Sequence, residues 1–166
     1  MKKLNALVMG LGLGLLLASC GTRGGGQLDN LKDPKSGVKV VLKIFAGYSC
    51  SSCNEELPVL NSRISNELGA QAALLDARVY VVAGPNWTKA TPEIAERYGQ
   101  ELGLTQFKMI ADNRCQTEYR KYYPGTSCLV PATALTSPTE EVIEIYEPGL
   151  LNMDEFMARV KELLNA

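Results

Sequence analysis

Apolar residues recur along this chain in two rhythms, one suited to strands and one to helices. Val38 to Ala46 (VKVVLKIFA) is a β-branched and aromatic run that predicts a buried strand. Leu57, Leu60, Ile64 and Leu68 follow three and four residues apart, one face of a helix that Gly69 should end. Arg78 to Ala83 (RVYVVA) predicts a second strand, closed by Gly84-Pro85. Thr91-Pro92 pairs an N-cap with proline at the first helical position, and that helix should reach about Leu102 before Gly103. Phe107 to Ala111 predicts a third strand. Asp112 or Asn113 should then cap a short helix through Tyr122, broken by Tyr123-Pro124-Gly125. Pro131 to Thr136 and Val142 to Tyr146 read as a hairpin, with Glu141, Glu144 and Glu147 supplying charge near a sheet edge. Asn152 with Glu155 gives a start resembling a capping box to a last helix that buries Phe156, Met157, Val160 and Leu163. The order βα, βα, βα, ββα predicts an α/β fold with a mixed central sheet and helices on both faces.

Composition narrows the chemistry. The chain has 166 residues, 46% hydrophobic, enough for one core, and its net charge of −1 offers no footprint for nucleic acid or anionic lipid. Histidine is absent. That excludes Ser-His-Asp and Cys-His catalysis, HExxH zinc sites and histidine-ligated copper. Proton transfer must therefore use carboxylates, thiols, tyrosine, lysine or water.

Lys2 and Lys3 precede the uncharged run Ala6 to Ala18, which as a helix would reach about 20 Å, short of a hydrocarbon core of about 30 Å. The run suits the apolar region of an export signal. Its end, Leu17-Ala18-Ser19-Cys20, resembles the lipobox of bacterial lipoprotein precursors. The resemblance implies removal of residues 1–19 and acylation of Cys20. Residues 20–37 then form a glycine-rich tether, and residues 38–166 the folded domain. The expected place is the cell envelope, lipid-anchored and facing the periplasm. Gly21, where an Asp would argue for the inner membrane, favours the outer one.

With Cys20 set aside, Cys50, Cys53, Cys115 and Cys128 remain, and four cysteines allow three disulfide connectivities. Cys50-Ser51-Ser52-Cys53 lies between a predicted strand and a predicted helix, so a thiol meets a helix N-terminus, which stabilises a thiolate. The competing readings are a static disulfide, which would close almost no loop, and zinc, which lacks a second C-x-x-C at suitable distance. Redox chemistry is the favoured reading.

The segment Phe45-Ala46-Gly47-Tyr48-Ser49-Cys50-Ser51-Ser52-Cys53-Asn54-Glu55-Glu56-Leu57-Pro58 resembles the active-site stretch of thioredoxin-like proteins, most of all the TlpA/ResA-type thiol-disulfide oxidoreductases. Phe107 to Asp112 resembles that family's strand ending in Asp, and Val130-Pro131-Ala132-Thr133 its cis-proline segment. The chain departs from the pattern at Ser49, where a tryptophan is usual, and at Ile44, where thioredoxin has a buried Asp.

The resemblance implies a thioredoxin-like fold with a helix-strand insertion before the cis-proline strand. It also implies an enzyme that acts on protein disulfides, more as reductant than oxidant. Cys50 would be the nucleophile and Cys53 the resolving thiol, with Glu56 exchanging protons and Pro131 shaping the substrate groove. Glu56 could instead be a solvated helix-end charge, and Pro131 a trans residue opening an edge strand. Cys115 and Cys128 are expected to form a structural disulfide, with a second redox pair as the alternative. Trp87, the sole tryptophan, is expected to pack under a loop, the alternative being a place on the substrate rim. The implied partners are exported proteins bearing thiols or disulfides and a membrane thiol donor. No cofactor or metal is implied, and a monomer is expected. A different class of function stays open: a binding lipoprotein with static disulfides.

Overall fold

The structure, a computed structural model, describes residues 37–125 and 127–166. The predicted signal segment, Cys20 and the tether up to residue 36 lie outside the described residues. Among those described, no helix is long and apolar enough to cross a membrane.

Strands β1 (Val40–Gly47), β2 (Leu75–Ala83), β3 (Lys108–Ala111), β4 (Ala132–Thr136) and β5 (Val142–Tyr146) form one sheet in the order β3-β2-β1-β4-β5. The first three run parallel, while β4 is antiparallel to β1 and β5 antiparallel to β4. Helices α1 (Ser51–Arg63), α2 (Pro92–Glu101) and α3 (Tyr119–Tyr122) run between them, and α4 (Met153–Asn165) follows β5. This is the thioredoxin-like mixed sheet, with α2 and β3 as the expected insertion.

Strand alternation divides the buried residues between two faces. Leu42, Ile44 and Ala46 of β1, with Ala77, Val79 and Val81 of β2, meet Leu57 and Leu60 of α1, Ala95 and Tyr98 of α2, and Phe156 and Val160 of α4. Each fully buried Leu, Ile or Phe on this face contributes roughly 1.5–3 kcal/mol. Leu164, and not the expected Leu163, completes the buried stripe of α4.

The opposite face carries Phe45, whose ring lies 5.2 Å from those of Tyr80 and Tyr119. Beside it, the fully buried Lys43 donates to Tyr122 Oη (2.7 Å), Glu118 (2.6 Å) and Glu140. Asp76 is clasped by Arg78 (2.6 Å) and Lys108 (2.8 Å). Burial pushes the Asp76 carboxyl up, but these two cations outweigh it and hold its pKa low. The paired charges let β2 begin at Leu75, earlier than its apolar pattern suggests.

The segment after β3 departs most from expectation. Instead of one capped helix there is a tight turn at Asn113–Cys115 and a separate single turn, α3. Arg114 and Cys115 both take left-handed φ values, 56° and 55°, which interrupt any helix. Asp112 joins the two pieces: its carboxylate accepts from Thr117 N–H (3.0 Å) and Tyr119 N–H (2.8 Å). The second face is thus covered by a largely irregular segment, not by a full helix.

Candidate active site

β1 ends at Gly47, and a short turn delivers Cys50 to the N-cap of α1. Cys50 N–H donates to Gly47 O (3.0 Å), and Asn54 N–H to Cys50 O (3.1 Å). Cys53 N–H points at Cys50 Sγ, 3.2 Å away. An amide aimed at that sulfur, together with the helix N-terminus, stabilises negative charge there once the pair is reduced. Cys50 and Cys53 are joined as a disulfide, with Cα atoms 5.3 Å apart. Cys50 retains 8% of its surface and Cys53 none, so an incoming sulfur reaches Cys50 first.

Glu56 follows Cys53 by one helical turn and is 5% exposed. Its Oε2 accepts from Leu151 N–H (2.7 Å), in the loop before α4. Its Oε1 is buried with no hydrogen-bond partner among the described residues. Burial raises its pKa above the ordinary carboxylate value, and the Leu151 amide offsets part of that rise. Glu55, by contrast, is exposed. The Leu151 contact has no signature in the sequence, because a backbone amide in a loop leaves none.

The Val130–Pro131 bond is cis, and Val130 O lies 3.7 Å from Cys50 Sγ. Pro131 O accepts from Gly149 N–H (2.8 Å), so the loop carrying Leu151 also anchors the proline loop. Cys115 and Cys128 are bonded to each other, tying the turn after β3 to the approach to Pro131. Tyr119 Oη reinforces the tie, lying 3.2 Å from Ser127 O and accepting from Leu129 N–H (3.1 Å).

Trp87 corrects the expectation of packing under a loop: it is 58% exposed. Its ring lies over Gly47, where an added Cβ would be 3.5 Å from the indole and 3.8 Å from Cys50 Cβ.

Strand, C-x-x-C disulfide at a helix N-terminus, buried acid one turn on and facing cis-proline together define a thioredoxin-like fold with a dithiol site. No protein-family model matches the sequence, and no curated protein does. Solved structures do. One is a secreted Mycobacterium tuberculosis disulfide oxidoreductase homologous to E. coli DsbE, at 18% identity over 75% of this chain and 81% of that one, TM-score 0.52. A second is the thioredoxin domain of a thiol-disulfide oxidoreductase from Bacteroides vulgatus, at 18% identity over 83% and 84%, TM-score 0.55. A third is StoA from Bacillus subtilis, at 18% identity over 78% and 84%, TM-score 0.53. At these identities the likeness establishes the fold.

Proposed function

We propose that this chain is a thiol-disulfide oxidoreductase of the TlpA/ResA type, held to the cell envelope by a lipid on Cys20 and reducing disulfides of exported proteins. The observation that carries the reading is the placement of Cys50, capping α1 beneath the Val130 carbonyl while Cys53 and Glu56 are buried behind it. The oxidoreductase names of the structural neighbours agree with it.

In the reduced enzyme, the Cys50 thiolate attacks one sulfur of a substrate disulfide. A mixed disulfide forms and the first substrate thiolate leaves. Cys53 then gives its proton to Glu56 and attacks Cys50 Sγ, and the second substrate thiolate departs and takes up a proton. Two electrons have passed to the substrate, leaving Cys50 and Cys53 oxidised. A membrane thiol donor restores the dithiol by the same exchange in reverse. Cys115–Cys128 stays oxidised and holds the proline loop.

Two measurements test this. Cys53→Ala should trap exported proteins as mixed disulfides on Cys50, and a Cys50–Cys53 potential near −270 mV marks a reductant whereas one near −120 mV marks an oxidant. Absence of any trapped species, with the pair inert to dithiols, would leave a static binding protein. For the anchor, incorporation of labelled fatty acid should vanish in Cys20→Ala.

A further inference from the structure

We propose that Trp87, reaching the site from the loop after β2, selects substrates in which a bulky apolar residue flanks the reacting cysteine of an extended polypeptide. The inference rests on the oxidoreductase reading and adds to it what the enzyme prefers.

Four observations carry it. First, the indole is 58% exposed although it is the largest apolar side chain in the protein, and its position over Gly47 sets it within reach of whatever meets Cys50. Second, the loop is built to hold it there. Asn86 and Trp87 both adopt left-handed φ (52° and 59°), a conformation that bulky residues seldom take. Gly84 N–H to Thr88 O (2.9 Å), Trp87 N–H to Gly84 O (3.1 Å) and Thr88 Oγ1 to Pro85 O (2.7 Å) knit the loop. Third, Asn86 N–H donates to Ser49 Oγ (2.9 Å), fastening the loop to the residue immediately before Cys50. Ser49 stands where the family's tryptophan is usual, and here it tethers the loop that supplies an indole from elsewhere in the chain. Fourth, two more exposed apolar side chains stand next in sequence to residues that face the site. Leu129 (54%) stands just before Val130 and Pro131, and Leu150 (64%) beside the Leu151 that holds Glu56.

An exposed indole held beside a reactive sulfur marks an interaction surface. The disulfide fixes the partner's cysteine, and the Val130 carbonyl beside it offers an acceptor to an extended backbone. The occupant is therefore a polypeptide segment in extended form, with its apolar side chain against the indole.

The test uses two synthetic peptides with the same internal disulfide, differing only in Phe or Ser beside the cysteines. Exchange rates with the reduced protein are read by alkylation and mass spectrometry. The wild-type protein should favour the Phe peptide by about tenfold or more, and Trp87→Ala should bring the ratio close to one. Trp87→Phe should keep most of the preference. Trp87→Asn, which tolerates the left-handed backbone, should lose it as Trp87→Ala does, so a folding defect in one variant does not decide the result. Val142→Ala, an exposed apolar site at the opposite end of the β4–β5 pair, is the control and should leave the ratio unchanged. Exchange with both peptides at a ratio indifferent to Trp87 overturns the inference alone. Exchange with neither peptide overturns the oxidoreductase reading, and the inference falls with it.

Discussion

Glu56→Gln separates a working proton carrier from a buried structural acid. The amide oxygen can still accept from Leu151 N–H, so the link to the loop before α4 survives. What changes is the other atom. Oε1, buried and unpartnered, becomes or faces an NH₂ in the same place, an unsatisfied group that costs about 1–3 kcal/mol at most. Against this stands the removal of an acid whose pKa burial has raised. The native state holds that proton more tightly than the unfolded chain does. Wild-type stability should therefore fall as pH climbs from the ordinary carboxylate value through the raised one, and level off above it. The Gln variant lacks that descent, so thermal melts of the two should converge as pH increases. Kinetics give the decisive readout. General acid–base assistance is typically worth about 100-fold or more, so disulfide exchange near neutral pH should slow by about that factor and lose the matching limb of its pH profile. Glu55→Gln removes a carboxylate from the same helical turn where it is exposed, and it should leave both limbs in place. Equal, small effects of the two substitutions on rate and on the melts would refute proton transfer by Glu56.

Three further outcomes follow from the packing. Replacing Cys115 and Cys128 by Ser should lower unfolding free energy by about 3 kcal/mol, measured in denaturant, and a loss below about 0.5 kcal/mol would deny the bond a structural role. Lys43→Ala should cost about 3 kcal/mol or more, because Glu118 and Tyr122 would lose their buried cation; an unchanged denaturant midpoint would refute this. Hydrogen bonds from Arg63 and Lys161 lower the Glu67 pKa from 4.5 to about 2, so Glu67 adds stability above that range that is lost as pH falls through it. Glu67→Gln should flatten the acid side of a melt-against-pH curve, and an unaltered slope would count against these pairs.

Much of this molecule was legible where one physical signal spoke alone. The buried strand over Val40–Gly47 followed from β-branched residues, and α2 from the Thr91-Pro92 start, where Thr91 Oγ1 accepts from Ile94 N–H. The spacing Cys53 to Glu56 placed the acid one turn on because helical geometry is fixed. Reading failed where distant residues decide the outcome. Leu75 to Ala77 fall outside the predicted strand because Asp76 is a poor strand residue until Arg78 and Lys108 pair with it inside the sheet. The stretch from Asn113 to Tyr122 looked like one helix because left-handed turns at Arg114 and Cys115 have no propensity signal; the Asp112 carboxylate fixes them by reaching forward to Tyr119. Trp87 escapes its expectation for the same reason: Asn86, its neighbour in the loop, is tied to Ser49, 38 residues upstream of Trp87 in sequence and near only in space.

The tie between Cys115 and Cys128 has a consequence for the company this protein keeps. On the proposed function, one pair of sulfurs must cycle through the dithiol state while the other remains bonded, in one compartment and facing the same donor. Accessibility does not keep them apart, since Cys128 is exposed and Cys50 only 8% exposed; the fate of a mixed disulfide does. Cys128 is exposed, but its partner Cys115 is 2% exposed and held beside it by the Asp112 turn. A donor thiol that strikes Cys128 leaves the Cys115 thiolate next to the new mixed disulfide, at an effective concentration no free thiol can match, so reclosure expels the intruder. On the proposed function, one pair is thereby discharged while the other recloses. On that reading, the Cys115–Cys128 bond has to be formed by an oxidant other than the disulfides this protein reduces.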